Sequence, residues 1–490
     1  MASGAIATSV VNDVRGEPRP AIAVTPGWRG VAEVGAALTG PWPTGLRWIA
    51  AGGGGTPEFN QVSIEQDLGL ARERFGAEGL LLFAGGRGSH GVQVQAAGRG
   101  DPLLAELGDL FAPRGGRAAS YRPTTLAVDA AATVGHVRAA IEAATGAGEL
   151  PLLVYLAGHG QRGEALADAT IELWGQEALA ASELALLLDG RPRPVRVVLT
   201  SCFSGGFAEL AFVGADAEGR RLAPGRCGLF AATAEREASG CDPNPDRAAQ
   251  EGYGLHFLQA LHGRDRGGEA AAIDLDGDGK VSLLEAHARA RIASAGIDVP
   301  TSTSERWLRA TPGLRGKPVA SLAATEMLRE ESVVIAALAE QLGLVGREGE
   351  AAAGLRAVEE DMAEVTGRIQ AASADEDAAY RRTAAELLAR WPVLDDPWHP
   401  EFVGMLASER AAIAAALASS VAYAEYKAAR ARVDAGQAEL AVLLARGAVL
   451  ERLARAVETR TLAQLSARRG GKDWDGYVAL VACERFVPGG

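Results

Sequence analysis

The chain has 490 residues, 48% of them hydrophobic and 23% charged, and its formal net charge is −13. This composition is ordinary for a globular protein, and the length predicts two or three domains. The acidic balance argues against a nucleic-acid-binding surface, because no basic cluster offsets it. The first residues lack the basic stretch and apolar core of a signal peptide. No apolar run approaches about eighteen residues, so no membrane span is expected.

The cysteines bear on the compartment. Cys202, Cys227, Cys241 and Cys483 form no Cys-x-x-Cys pair and show no framework spacing. We therefore expect four reduced cysteines in a cytoplasmic protein.

In chain order, residues 1–44 are rich in proline and glycine and predict a loosely ordered lead or strap. A strand from Arg47 to Ala51 then runs into four glycines, Gly52 to Gly55. No Gly-Lys-Ser/Thr completes a phosphate-binding loop there. A helix over 64–75, a strand over 79–84, a long Gly/Arg-rich loop over 85–125 and a helix over 133–144 are predicted next.

Two further apolar runs carry the most informative residues. Leu152 to Ala157 is typical of a strand buried on both faces, and it leads into His159. Val195 to Leu199 is a similar run and leads into Cys202. Parallel strands of one sheet would bring the two side chains to the same edge, where sites in open α/β sheets lie. A cysteine or a histidine alone is more often a packed or hydrogen-bonded structural residue.

The 43 residues that separate His159 from Cys202 (202 − 159 = 43) suit one βαβ crossover. Thr170 to Trp174 predicts a short strand and Ala180 to Leu188 a helix within it. The repeated alternation of strands and helices predicts an α/β layer sandwich with a mainly parallel sheet.

Leu156-Ala157-Gly158-His159-Gly160 and Thr200-Ser201-Cys202-Phe203-Ser204-Gly205-Gly206 resemble the His and Cys motifs of caspase-like cysteine peptidases. That group contains caspases, metacaspases and legumains. The segment Phe230 to Cys241 is similar to the one that follows the catalytic cysteine in bacterial legumain-like members. The resemblance covers residues 45 to about 310. It implies a caspase-like α/β/α sandwich over 45–315 that cleaves protein substrates, and it places the glycine loop at 52–55 near the substrate cleft.

The residues around the two motifs fit a dyad mechanism. His159 would act as the base and Cys202 as the nucleophile of a thioester acyl-enzyme. We expect a helix to begin through Gly205 and Gly206, which would favour the thiolate at its N-terminus. The backbone N–H groups of Gly160 and Cys202 are the natural oxyanion donors. No third residue is required to orient His159.

In related peptidases an acidic residue two positions before the cysteine selects basic P1 side chains. Thr200 stands there in this chain, which puts that mechanism in doubt. Glu237 and Asp242 are the other acidic candidates for pairing a P1 arginine or lysine. Both could equally be surface carboxylates of a loop.

Residues 274–285 follow the spacing of a calcium loop. The carboxylates Asp274, Asp276 and Asp278 hold positions 1, 3 and 5, and the loop closes with Ser282 and Glu285. Lys280 at position 7 would contribute its backbone carbonyl. Since the preceding stretch is Gly-rich, the loop lacks an entering helix and is not a paired EF-hand. Ca²⁺ binding is predicted, with a turn rich in aspartate as the alternative.

From about residue 320 to 490 the pattern changes to that of long helices. Apolar side chains recur in steps of three and four, and prolines break the region near its middle, so we expect a helical bundle or a bent coiled-coil hairpin. Three aromatics near the end are expected to pack back on the first domain. The seam is formed by Leu355, Val358, Met362, Val365, Ile369, Leu443, Leu450, Leu453 and Val457, and the aromatics are Trp474, Tyr477 and Phe486.

The sequence therefore predicts a cysteine endopeptidase with a helical domain that binds a regulatory partner. The alternative is a catalytically silent scaffold regulated by calcium or a partner. A zymogen is also expected, activated by an upstream protease that nicks an exposed loop at 113–122 or 263–268, where Arg264 and Arg266 lie.

Overall fold

We describe the protein from a computed structural model, which covers residues 42–43, 45–95, 100–111, 119–316 and 322–489. Most of the predicted N-terminal lead lies outside these residues. The strands are β1 Trp48–Gly53, β2 Gly79–Phe83, β3 Val92–Gln95, β4 Ala119–Arg122, β5 Leu152–Gly158, β6 Gly160–Gln161, β7 Thr170–Leu173, β8 Glu177–Ala180, β9 Val195–Leu199, β10 Arg226–Phe230 and β11 Thr301–Ser302. The α-helices are α1 Val62–Phe75, α2 Pro102–Phe111, α3 Val134–Thr145, α4 Ala181–Leu188, α5 Tyr253–Leu261, α6 Leu283–Ala293, α7 Thr303–Ala310, α8 Leu322–Met327, α9 Arg329–Leu342, α10 Ala351–Leu388, α11 Phe402–Ser419, α12 Val421–Arg469 and α13 Lys472–Glu484.

A six-stranded sheet in the order β11-β10-β9-β5-β1-β2 forms the centre of the first domain. All neighbouring strands are parallel except β11, which runs antiparallel to β10. One apolar cluster packs α3 and α4 on one face of the sheet, and a second packs α1, α5 and α6 on the other. The prediction of an α/β protein with a mainly parallel sheet is confirmed. Burial on both faces explains the continuous apolar runs.

The C-terminal region is helical, as predicted. Helices α10 and α12 have 38 and 49 residues and pack along their lengths. The predicted seam is confirmed, because Val358, Val365, Ile369, Leu450 and Leu453 are buried between them. The prolines at 392, 397 and 400 fall in the connection between α10 and α11, since proline cannot continue a helix.

Several elements differ from the prediction. The segment over 85–125 is not one long loop, because it contains the antiparallel strand pair β3 and β4 with α2 between them in sequence. Leucines of α2 pack against the C-terminal helical region, next to Trp391 and Tyr426. β7 pairs with β6 and β8 in a separate small antiparallel sheet and does not join the central one.

Within the described residues one helix, α11, is long and apolar enough by length and composition to cross a membrane. Glu409 and Arg410 interrupt this helix, which is otherwise mostly alanine and other apolar residues. In the fold α11 packs through Ile413 and Leu417 against the cluster that contains Trp391.

The two regions are joined by a disulfide. Cys227 of β10 bonds to Cys483 of α13, so the expectation of four reduced cysteines is wrong. The cytoplasmic location stays a prediction, and a disulfide is more typical of oxidising compartments. Tyr477 and Trp474 pack around this bond with Trp307. Phe486 packs on the apolar cluster that contains α1, α5 and α6. The docking of the three aromatics is confirmed.

Candidate active site

The central strands bring the two predicted reactive residues to one edge of the sheet. β5 and β9 are direct neighbours in parallel register, with Leu156 opposite Leu199. His159 follows β5 and Cys202 follows β9, so both lie beyond the carboxyl ends. Gly160 packs on the backbone of Cys202, since a Cβ at this position would lie 2.3 Å from the Cys202 carbonyl oxygen. Only glycine allows this approach.

His159 is half-buried and held at one ring nitrogen. Its Nε2 lies 3.0 Å from the carbonyl oxygen of Phe59 and 2.9 Å from Oε1 of Gln61. The Phe59 ring stands edge-on to the imidazole, with centroids 5.5 Å apart. Burial lowers the pKa of His159, opposed by Glu172 and the Phe59 carbonyl, so the ring is neutral near pH 7.

The Gln61 side chain is oriented by its own partners. Its Nε2 donates to the carbonyl of Glu58 at 3.2 Å and to Oε1 of Gln93 at 3.1 Å. Oε1 is therefore left as an acceptor, and both partners of His159 Nε2 are acceptors. The hydrogen of the neutral imidazole is thus assigned to Nε2, and Nδ1 carries the lone pair of a base.

Phe59 and Gln61 were missed by the sequence prediction, which required no orienting group for His159. The four glycines at 52–55 were the one sequence feature that indicated a close approach of another segment here. A Cβ on Gly54 would lie 2.0 Å from the Phe59 carbonyl oxygen, so glycine is what lets this carbonyl approach the loop. The loop therefore packs against the segment that orients the histidine.

Cys202 does not precede an α-helix. Phe203 takes a left-handed conformation with φ of 56°, and a 3₁₀ helix follows over Ser204–Ala211. The prediction that an α-helix N-terminus stabilises the Cys202 thiolate is therefore wrong. Burial raises the pKa of the Cys202 thiol; Glu237 and Asp298 add to this, and the hydrogen bond from Ala238 opposes it. Among the described residues no hydrogen bond joins Cys202 to His159.

The thiol is instead held by the loop over residues 233–241. The backbone N–H of Ala238 donates to Sγ at 3.3 Å, and the thiol faces the Ala238 carbonyl oxygen at 3.6 Å. In the same loop the Arg236 carbonyl accepts the Phe203 N–H at 2.8 Å. The 233–241 loop thus covers the thiol and also supports the backbone that follows it.

The raised pKa of Cys202 predicts slow alkylation at neutral pH. Because only the thiolate reacts, the rate of modification by iodoacetamide should rise about tenfold for each pH unit between pH 7 and the raised thiol pKa. Peptide mapping of Cys202 across this range measures the rate. A rate that is already maximal at pH 7 would contradict a covered, neutral thiol.

The three P1 candidates lie apart. Thr200 is buried at the end of β9. Asp242 caps the turn at Asn244 with a 2.8 Å hydrogen bond, and its own N–H bonds to Ser63 at the start of α1. Glu237 is exposed in the 233–241 loop and acts electrostatically on Cys202. Only Glu237, of these three, combines exposure with proximity to the thiol.

The calcium-loop motif forms a compact acidic turn. Carboxylate oxygens of Asp274, Asp276 and Asp278 lie within 4.8 Å of one another, about the separation across a calcium ion. Backbone N–H groups, that of Gly279 first, hold the pKa of Asp274 low. Residues 262–282 contain no helix, as expected for an isolated loop.

Three residues of the motif, Asp276, Ser282 and Glu285, already have side-chain partners. Glu285 accepts the Leu275 N–H at 2.6 Å and forms a capping box with Ser282, where Oε2 lies 2.8 Å from both the N–H and the hydroxyl. Arg329 donates to Asp276 at 3.0 Å. Lys280 is exposed. Closing Glu285 around a cation would require it to exchange these hydrogen bonds.

Of the two predicted nicking loops, residues 112–118 lie outside the described residues, so only the end of the first loop is described, as β4. The second is a tight turn with a bridge between Arg264 and Ala270. Arg266 pairs with Glu251 at 3.3 Å, whereas Arg264 is exposed. Arg264 is therefore the more accessible basic residue of this turn.

No protein-family model matches the chain, and no curated protein is significantly similar to it.

Proposed function

We propose that the protein is a cysteine endopeptidase of the caspase-like type, with Cys202 as nucleophile and His159 as base. The observation that carries the proposal is the pairing of β5 with β9, which delivers both residues to one sheet edge. The fixed Nε2–H of His159 adds to it. An imidazole oriented by two acceptors has its basic nitrogen available for a thiol.

In the proposed reaction substrate binding displaces Ala238 from Sγ. Nδ1 of His159 takes the thiol proton, and the thiolate attacks the scissile carbonyl to give a tetrahedral oxyanion. The N–H groups of Gly160 and Cys202 would bind that oxyanion. Imidazolium returns the proton to the leaving amine, and water then hydrolyses the thioester with His159 again as base.

The orienting role of Gln61 leads to a kinetic prediction. Gln61→Ala removes one of two acceptors at Nε2, so kcat should fall about tenfold while KM stays within about twofold. Steady-state hydrolysis of a peptide substrate measures both. Gln66→Ala is the matched control, because Gln66 lies on α1 and bonds to Pro245 and Gln250 instead. Equal losses in the two variants would contradict the assignment.

The proposed substrate preference rests on the acidic side chain beside the thiol. Glu237 is exposed beside Cys202, so we propose a preference for basic P1 side chains, which its carboxylate can pair. A peptide library that varies P1, assayed with and without calcium and with Cys202→Ala as blank, tests activity and choice together. Cleavage after acidic or apolar residues alone would contradict the preference, and no cleavage under any condition would contradict the peptidase.

Calcium is proposed to bind at the 274–285 loop, held by the three aspartates, the Lys280 carbonyl, Ser282 and Glu285. Since a ligand of the folded state stabilises it, millimolar calcium should raise the melting temperature by about 5 °C. Asp278→Asn should abolish this rise with little effect in chelator, because asparagine keeps the hydrogen bond to the Lys280 N–H. An unchanged melting curve in wild type would contradict calcium binding.

Activation by nicking is proposed at Arg264. Sequencing of fragments from incubated wild type, and from Cys202→Ala protein mixed with wild type, tests it. The hypothesis fails if no cut forms at residues 113–122 or 263–268.

A catalytically silent scaffold is the second candidate. The observation that favours it is that burial leaves both Cys202 and His159 neutral, without a hydrogen bond between them. A scaffold would leave Cys202 unreactive toward peptidyl electrophiles, whereas the peptidase requires their selective attack on this residue.

A further inference from the structure

Helix α12 reaches the loop that holds the Cys202 thiol through two adjacent residues. Glu451 forms an ion pair with Arg236, and both side chains are largely buried, with 18% and 26% of their surface exposed. Arg236 in turn supports the backbone after Cys202, since its carbonyl accepts the Phe203 N–H. This is a direct route from the helical region to the residue after Cys202.

The next residue, Arg452, provides a second route. It is 1% exposed, and its guanidinium donates to the Ser294 carbonyl at 2.9 Å. The Ser294 hydroxyl lies 3.5 Å from one oxygen of the buried Asp298, whose other oxygen accepts the Ser239 N–H at 2.6 Å. Hydrogen bonds thus run from α12 to the other end of the loop.

The two routes meet the 233–241 loop on either side of Ala238, at Arg236 and at Ser239. Ala238 is the residue whose backbone holds Sγ. Moving Ala238 off the thiol therefore requires the loop to shift between two points that α12 fixes. We propose that Glu451 of α12 is a positioning residue, which holds the 233–241 loop on Cys202 through Arg236 and limits the reactivity of the thiol.

This inference rests on the proposed function in that Cys202 is taken as the reacting group. Loop opening governs access to a covered thiol, so weakening one fixed point should raise the open population. Glu451→Gln and Arg236→Gln should each increase the alkylation rate of Cys202 by iodoacetamide roughly fivefold, about what one partly buried ion pair contributes. The melting temperature of each variant is the reference for global stability, because Cys241 lies at the end of the same loop and would be exposed with it.

The matched control lies two helical turns further along α12. Glu458 pairs with Arg309 of α7 at 3.0 Å, also across the two regions but on another element. Glu458→Gln should leave Cys202 alkylation within about twofold of wild type. The charge-swapped pair Glu451→Arg with Arg236→Glu should restore the slow rate, which a general loss of stability would not do.

Alkylation does not depend on turnover, so the test separates the two proposals. Faster Cys202 alkylation in both single variants, with rescue in the swap, supports the positioning role even if no peptide is cleaved. Rates within about twofold of wild type in both single variants would overturn it. A similar rise for Glu458→Gln would also overturn it, because the effect would then be global.

Discussion

Replacing Cys202 by alanine is expected to reduce peptide hydrolysis at least about a thousandfold, and His159→Ala should have a similar effect. Alanine at 202 removes the proposed nucleophile. Alanine at 159 removes the proposed base at the neighbouring strand end, without which a thiol of raised pKa would not form the thiolate near neutral pH. Steady-state kinetics on a peptide identified by library screening, with circular dichroism to check folding, provides the measurement.

Cys241→Ala is the matched control for the nucleophile, since Cys241 is the other free cysteine of the described chain and is also half-buried. It should keep turnover within about threefold of wild type. Because catalytic residues act as a unit, the double variant lacking Cys202 and His159 should be no worse than either single one. Near-wild-type turnover in either single variant would refute the dyad.

Loss of the Cys227–Cys483 disulfide is expected to lower the free energy of unfolding by about 2–5 kcal/mol. The bond closes a loop of 256 residues and ties β10 of the central sheet to α13. Without it the unfolded chain gains conformational freedom, and the interface around Trp307 and Tyr477 loses its covalent constraint. Denaturant unfolding of Cys227→Ser and Cys483→Ser protein measures the change.

The same experiment contains its own control. A reducing agent should destabilise the wild type by a similar amount and leave Cys227→Ser unchanged, because that variant has no bond to reduce. Identical unfolding curves for oxidised and reduced wild type would show that the bond does not contribute. The double serine variant should be no less stable than either single one, since each already removes the whole bond.

The strands β1, β2, β5 and β9 could be predicted to within about two residues, whereas β10 and β11 were not predicted. β5 and β9 are continuous apolar runs bounded by glycine or polar residues, and burial on both faces of a sheet requires that pattern. The long helices followed equally well from their periodicity. Both signals are local, so a single stretch of sequence contains them. That is why the sequence alone could place His159 and Cys202 at one edge of the sheet.

The surroundings of the two residues could not be predicted because they come from distant segments. Gln61 lies 98 residues before His159, and Ala238 lies 36 residues after Cys202. Burial raises the pKa of Cys202, Glu237 of that second segment adds to the rise and the Ala238 N–H opposes it, so the expected low pKa is wrong. No spacing rule links Cys227 to Cys483, so the disulfide was missed for the same reason.

The helix expected after Cys202 illustrates a conflict between local and tertiary requirements. Gly205 packs against the 233–241 loop, and a Cβ there would lie 2.6 Å from the backbone of Thr233 and Ala234. The segment is thus shaped by this approach and by the left-handed Phe203, and it forms a 3₁₀ helix. Two glycines in sequence indicated a turn but not which segment would pack on it.

The most direct test of the peptidase is covalent trapping with a peptidyl chloromethyl ketone that carries a basic P1 residue, followed by peptide mapping. The proposal predicts one adduct, on Cys202, that is absent in His159→Ala protein. Cys202 should be labelled much faster than Cys241. Such a probe reacts through its binding at the cleft, so it needs no natural substrate. Equal labelling of Cys202 and Cys241, or labelling of Cys202 that is independent of His159, would contradict a catalytic dyad.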